Sequence, residues 1–525
     1  MMSTVKLAPS LSTIALCVFG ASVAYALTVP TSNPTDQASQ LLATRTYNAA
    51  KELVSEGDAD NQLTSYQYNT AGQKILTVTR DKNDLHQSYN DHGLLQTSWA
   101  DKSATSTAPS ASASDVIAYQ YDSGNDQLTQ TSYQQLNTDS KQNTTLAYDL
   151  SGQLMQKTYP SGKSQSYTYT RNGSVATFTN VLGQVTQYTY SPMKQLTGVQ
   201  FLGATTTYAY DPFGRMLSAS NNDGVETTWT YDDYNGVHTM THKDGSTQLN
   251  TLTYTYNIDG NIANKTLATP SATATYGYGY NSINELTHFT CSGTLCPKDP
   301  NGHTIQTRNY TYTLNKGIQS MQSEYGSSNL NNTATYHYDT PAYPDRLMSI
   351  SNSNSHTQVT GTNVYDADGN MIQDGQGNKL TYDALDQMLA MKTPSDKIIE
   401  TYGYNADGKL DQQTPVGQQP IQLYYSTGKT PVITARTEGT AAVTYALGTD
   451  RIARYYFEND TAATSTLHQD YLFDEHGDVL NTVSMPSGSQ DVSAPTNSAT
   501  YLYTPYGYLS HNDQPVTLST THKAK

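Results

Sequence analysis

A tyrosine, an Asp or Asn, two variable residues and a glycine return along this chain nearly every 21 residues. The unit stands as Tyr68-Asn69-Thr70-Ala71-Gly72 and again from Tyr89-Asn90 to Gly93, Tyr148-Asp149 to Gly152, Tyr210-Asp211 to Gly214, Tyr256-Asn257 to Gly260, Tyr365-Asp366 to Gly369 and Tyr404-Asn405 to Gly408. Tyr148, Tyr169, Tyr190, Tyr210 and Tyr231 follow one another at intervals of 21, 21, 20 and 21 residues. A fixed period of this length means a repeat architecture.

Each unit reads as a β-hairpin element. Ser166-Tyr167-Thr168-Tyr169 and Thr207-Tyr208-Ala209-Tyr210 alternate, so their tyrosines share one strand face and small residues share the other. Asp or Asn opening the turn and Gly closing it are type I preferences: the side chain bonds nearby backbone and glycine accepts the exit conformation. Pro192, Pro212 and Pro505 sit where the fixed φ of proline suits that turn. Two residues past the glycine an apolar side chain recurs, as Leu95, Leu154, Val175, Met216, Ile262, Met371, Leu410 and Val479. One period holds two strands and two turns.

The 525 residues include 43 Tyr against 7 Phe and 2 Trp, and the apolar fraction is 36%. A thick aliphatic core is not expected. An extended sheet held by ladder hydrogen bonds and aromatic cross-strand pairs is, with tyrosine burying its ring and keeping its hydroxyl wet. The fold class read from these features is all-β: a long antiparallel sheet of hairpins that forms one solenoid-like or shell-like unit.

Residues 1–26 read as a secretory signal peptide: Lys6, an apolar stretch from Thr13 to Ala24, and the small-residue site Ala24-Tyr25-Ala26. A short leader follows over 27–46, the repeat occupies 47–507, and 508–525 form a carboxy-terminal tail. No later stretch is apolar for the roughly 20 residues a membrane helix needs. The expected location is therefore outside the cytoplasm: extracellular, cell-surface or periplasmic. Without the signal, 28 basic residues stand against 45 acidic ones, a balance of −17. That charge disfavours nucleic acid and anionic lipid as partners. Cys291 and Cys296, with Gly293 between them, are expected to close a small disulfide loop in an oxidising compartment.

Where the spacing stretches, the extra residues are loop-like: 102–110, the cysteine loop between Tyr280 and Tyr312, 323–332, 351–362 and 484–498.

Tyr-Asp-x-x-Gly at this period resembles the YD repeat of the Rhs family, which includes bacterial toxin-complex shells and the animal teneurins. The resemblance covers most of the chain and implies a sheet of hairpin strands that spirals into a hollow barrel or partial shell. In toxin members such a shell encloses a carboxy-terminal effector. Asp474-Glu475-His476-Gly477-Asp478-Val479 resembles the late Asp-x-x-Gly-Ser-Val segment of the family, with Asp478 in place of serine. Tyr503-Thr504-Pro505-Tyr506-Gly507 resembles its Tyr-x-Pro-Tyr-Gly motif. The Asp-Pro-x-Gly segment that the family associates with self-cleavage has no counterpart in the sequence.

Other motifs give way to the repeat. Asp366-Ala367-Asp368-Gly369-Asn370 looks like the start of a calcium loop, but Met371 and Gly377 stand where glycine and glutamate are needed. Ser161-Gly162-Lys163-Ser164 and Thr427-Gly428-Lys429-Thr430 lack the earlier glycine of a phosphate loop. His238 and His242 have no third ligand in sight. No nucleophile elbow or zinc-protease motif is present. The expectation is a non-enzymatic protein with no cofactor or metal.

The remaining chemistry is aromatic. Tyr66 and Tyr68, Tyr167 and Tyr169, Tyr188 and Tyr190, Tyr208 and Tyr210, and Tyr278 and Tyr280 are candidate binding residues, because tyrosine faces stack on sugars and neighbouring amides bond hydroxyls. The same tyrosines also serve the sheet. The leading expectation is an exported scaffold for surface interaction with carbohydrate or a protein partner. The alternative is a toxin-shell component that encloses a polypeptide supplied by another chain.

Overall fold

The computed structural model describes residues 14–19, 22–29, 40–57, 63–101, 109, 114–134, 142–299, 301–314, 316–339, 343–354, 361–428, 430–449, 451–460, 465, 467–486, 497–500 and 502. The Tyr503–Gly507 motif, the tail and most of the 102–110 and 484–498 loops lie outside them. The segment read as an export signal contributes two paired strands, Ile14–Phe19 and Ser22–Val29.

Nearly all the described secondary structure is antiparallel strand, gathered into two sheets in which strands pair with neighbours in sequence; the break falls between Tyr343–Asn352 and Val364–Tyr365, which lie in different sheets. In one representative stretch, Ser164–Tyr169 pairs with Val175–Thr179, which pairs with Val185–Tyr190. The turns between them follow one plan. Gly173 N–H donates to Thr170 O at 3.0 Å, Thr170 N–H donates to Ser174 O at 2.8 Å, and Gly173 takes φ of +81°. The register slips between Thr168 and Tyr169. This is a type I turn closed by a glycine bulge, the geometry a three-residue hairpin loop favours. An acidic or amide residue that opens the turn caps it: Asp149 Oδ1 accepts from Ser151 N–H and Gln153 N–H, both at 2.8 Å.

The same turn returns at half the sequence period. Asp149, Tyr159, Thr170, Asn180 and Ser191 each open one, so both ends of every hairpin are built alike. Several turns use no glycine. Lys51, Lys82, Lys194, Asn235, Asn284, Lys316, Asp386 and Asp396 occupy the closing position with φ between 60° and 71°.

The described chain gathers into two compact units, each drawn from separate stretches. One comprises Met1–Thr145, Tyr336–Ile350 and Thr360–Leu410; the other comprises Leu146–Thr335, Ser351–Val359 and Asp411–Lys525. In the first, Arg80 N–H donates to Asp368 Oδ1 at 2.8 Å and Ala367 N–H to Asp81 Oδ1 at 2.9 Å.

In the second unit, an early stretch of sheet faces a late one. No ladder joins them among the described residues, so of the two expected forms the closed barrel is not the one seen. Side chains meet across the gap instead. Phe201 packs edge-on against Tyr455 at 5.0 Å, in a cluster with Ala442, Ala446, Ala453 and Phe457. Tyr159 and Val181 pack with Tyr424 and Ala435, and Val225 packs with Leu472 and Val483. Polar links run along the same seam: Tyr159 OH to Tyr425 O at 3.0 Å, Thr444 Oγ1 to Gln184 Oε1 at 3.0 Å, and Lys163 Nζ to Asp460 Oδ2 at 2.5 Å. The larger core lies mainly in the early stretch, where Leu252, Tyr254, Leu267, Phe289 and Ile305 are fully buried, and takes in Leu480 from the late one.

Cys291 and Cys296 are joined by a disulfide and both are buried in that core. Tyr276 OH donates to Leu295 O inside the loop at 2.6 Å. Gly293 in the same loop has φ of +112°, and a Cβ there would come within 2.1 Å of Thr273 O. Only glycine fits that approach.

Candidate functional site

The paired tyrosines lie on one strand face, and the structure gives the two members of each pair different work. The outer member ends the strand. Its hydroxyl reaches back over the preceding hairpin to the backbone carbonyl of the residue that begins the previous exit strand. Tyr68 bonds Leu53 O at 2.8 Å, Tyr169 bonds Leu154 O at 2.8 Å, and Tyr190 bonds Val175 O at 2.9 Å. Tyr210 bonds Leu196 O at 2.8 Å and Tyr280 bonds Ile262 O at 3.0 Å. Tyr89, Tyr231 and Tyr404 make the same bond to Lys74, Met216 and Met388, and Tyr365 makes a like bond to Leu347, inside the strand Tyr343–Asn352. The acceptors include apolar positions that recur in the sequence, such as Leu154, Val175, Met216 and Ile262. The ring thus covers the hairpin while its hydroxyl ties one turn to the next.

The inner members point the same way but sit deeper. Tyr167 and Tyr208 are buried, with Tyr167 against Phe178 at 5.1 Å. Tyr188 and Tyr278 are half-buried, with burial pushing their hydroxyls upward in pKa, and Tyr278 lies 5.6 Å from Phe289. Tyr66 donates to Glu56 Oε1 at 2.6 Å; burial and that carboxylate push it up to about 12. All five outer hydroxyls are therefore engaged with backbone, and the inner rings pack within the sheet face.

Removing one outer hydroxyl leaves a carbonyl without its donor, at a net cost of about 1 kcal/mol. Tyr169→Phe and Tyr190→Phe are each expected to lower stability by that amount in urea unfolding. Tyr234→Phe, whose ring is exposed at a turn, is expected to leave it unchanged. Equal behaviour of all three would show that the hydroxyl ties carry no stability.

The other motifs resolve into structure. Asp366 Oδ1 accepts from Gly369 N–H at 2.8 Å and Asn370 N–H at 2.7 Å, so this acidic loop is a capped turn. Lys163 is part of the seam, and Lys429 lies outside the described residues. His238 is exposed, whereas His242 is fully buried and bonded on both ring nitrogens: Thr227 Oγ1 at 2.9 Å and Phe473 O at 3.0 Å. The late Asp474–Gly477 turn docks on earlier strands. Lys265 Nζ lies 3.5 Å from Asp474 Oδ2, and Glu475 N–H donates to Tyr254 OH at 3.2 Å.

Sequence reasoning misses the seam, since its partners stand more than two hundred residues apart. Its one local signal is polarity at an inward position: in the strand Leu467–Phe473, Asp470 is buried on the same face as Leu472.

No family model matches the chain. Toxin subunit YenC1 of Yersinia entomophaga is similar to it, 26% identical over 293 residues that make up 48% of this chain and 30% of the relative. Among solved structures, TcdB2-TccC3-TEV matches with a TM-score of 0.69 and 14% identity, over 94% of this chain and 27% of its own. The Photorhabdus luminescens Tc holotoxin pore matches with a TM-score of 0.61 and 14% identity, over 94% and 27% respectively. This chain therefore spans less than a third of the length of each relative.

Proposed function

We propose that this chain, a YD-repeat protein of the Rhs family, is an exported wall segment of a toxin-type shell and helps to enclose a polypeptide supplied by another chain. The observation that carries this reading is the match of 94% of the chain to the TcdB2-TccC3-TEV fold at a TM-score of 0.69. The seam adds a physical condition. Along it the inner faces of the second unit fill their own space with Phe201, Tyr455, Phe457 and their neighbours. A lumen for cargo then needs further wall from additional polypeptide, in keeping with the fraction of the relatives that this chain spans. The tyrosine ties and capped turns suit such a wall, because they hold the sheet together without a thick core.

The protein purified from its natural host under native conditions is expected to behave as an assembly heavier than 57.4 kDa. It should contain a second polypeptide that resists protease until the wall is unfolded. A chain that stays at its own mass with no second polypeptide would overturn the reading.

The other reading, a scaffold that engages a protein partner at its surface, has one observation in its favour. Leu150, Met193, Phe213, Tyr234, Ile258 and Ile283 are exposed apolar side chains on turns that follow repeat tyrosines. A co-purifying polypeptide digested as fast as when free would favour this outer contact over enclosure.

A further inference from the structure

Between the turn that joins Met216–Asn221 to Val225–Tyr231 and the late strand Leu467–Phe473, the second unit holds a concentration of buried negative charge. His468 lies between two carboxylates, with Nε2 3.1 Å from Asp470 Oδ1 and Nδ1 3.7 Å from Asp223 Oδ2. Asp244, also buried, acts electrostatically on Asp470. None of these three acids is paired with Lys or Arg in the described ion pairs. Even a protonated His468 would leave two of their three charges uncompensated, and buried charge without a partner is costly.

Two polar groups at the same place have no hydrogen-bond partner. One is the second oxygen of Asp470, whose side chain is 4% exposed. The other is the hydroxyl of Tyr455, a residue 3% exposed whose ring stacks on His468 at 4.4 Å. Asp470 and Tyr455 line a cavity of about 10 Å³ that is otherwise walled mainly by apolar side chains such as Phe201 and Ile452; it adjoins Asp470, while Asp223 and His468 do not line it. That is room for about one water-sized sphere.

We propose that Asp223, His468 and Asp470 form a site for one first-row divalent cation of the Zn²⁺ or Mn²⁺ type, which clamps the two facing sheets of this unit. One donor atom from each residue lies within 4.8 Å of the others. Donors around a tetrahedral Zn²⁺, bound at about 2.0–2.2 Å, stand about 3.3–3.6 Å apart, so side-chain shifts of about 1 Å that turn one ring nitrogen of His468 toward both carboxylates complete the set. Two carboxylates and one imidazole suit such an ion better than Ca²⁺, which takes six to eight oxygens. The fourth position falls to solvent or to the Tyr455 side. The ion would offset the charge left on the acids and join the turn at Asp223 to the strand carrying His468 and Asp470. Its role is structural, and it stands apart from the shell reading.

Calorimetric titration of the chelator-stripped full chain with ZnCl₂, and separately with MnCl₂, tests the site. One tight site per chain is expected for at least one of the two metals, weakened at least about 100-fold in Asp223→Asn and in Asp470→Asn. Asp470 is buried and its variant could fail to fold, whereas Asp223 lies at a turn with its side chain 21% exposed. Chelator treatment of the metal-loaded wild type supplies an independent readout and should lower its melting temperature. No tight site for either metal, a tight site that survives Asp223→Asn, or a melting temperature indifferent to chelator would each overturn the proposal.

Discussion

Replacing Phe457 with alanine is expected to destabilise the second unit by about 3–5 kcal/mol, the range for emptying an aromatic site in a closed core. Phe457 is 0% exposed and shares its cluster with Phe201 and Tyr455 from the two facing stretches. The other neighbours are Ala442, Ala446 and Ala453, whose methyl groups have no length with which to refill the space. A cavity that cannot collapse carries the upper part of the cost. Phe213→Ala is the matched control: its ring is 84% exposed at a turn and should change stability by less than about 0.5 kcal/mol. Urea unfolding followed by tyrosine fluorescence separates the two. Similar losses for both variants would mean that the seam does not hold the unit together.

The second large effect is on pH. His242 is fully buried, and burial pushes its pKa down to about 4 from 6.5. Its neutral ring is satisfied, with Nε2–H donating to Phe473 O and Nδ1 accepting from Thr227. Between pH 6.5 and 4 the unfolded chain therefore binds a proton here that the folded chain refuses. Stability must fall as pH falls through that window. The slope is about 1.4 kcal/mol per pH unit, or roughly 3 kcal/mol in all. Other groups pull the opposite way. Asp411, pushed up to about 6 by burial, takes up its proton more readily when folded and so favours the native state at acid pH. The test is accordingly a difference: melting curves of wild type and His242→Gln from pH 7 to pH 4. The advantage of the wild type should shrink steadily as pH drops. Parallel profiles would show that His242 is not protonated on unfolding.

The fold is legible in the sequence because its determinants are local. Asp149 and Gly152 specify the turn from positions three apart, and Tyr167 with Tyr169 marks the covered face by simple alternation. What stays hidden is of two kinds. Turns closed by Lys51, Lys194 or Asn284 adopt the same left-handed conformation without glycine, so a search for the glycine passes over them. The flanking strands impose the turn and the residue bears the strain. Long-range partners form the other kind. Nothing around Asp223 announces His468, and nothing around His242 announces the carbonyl of Phe473. The tyrosines illustrate a subtler limit. Their spacing shows that they matter, but the same spacing fits a ligand-facing ring and a ring that ties one turn to the next.

The seam also limits how such a gene can grow. Each tyrosine tie refers only to the hairpin before it, so a duplicated period of 21 residues would satisfy every local contact of its copy. The facing pairs are less forgiving. Apart from the ion pair of Lys163 with Asp460, the links Tyr159 with Tyr425, Gln184 with Thr444, His242 with Phe473 and Tyr254 with Glu475 occur in the same order along both stretches. A copy inserted into one stretch alone would offset every pair beyond it. Changes in length that survive selection should therefore come as matched insertions on both sides, or fall outside the paired region.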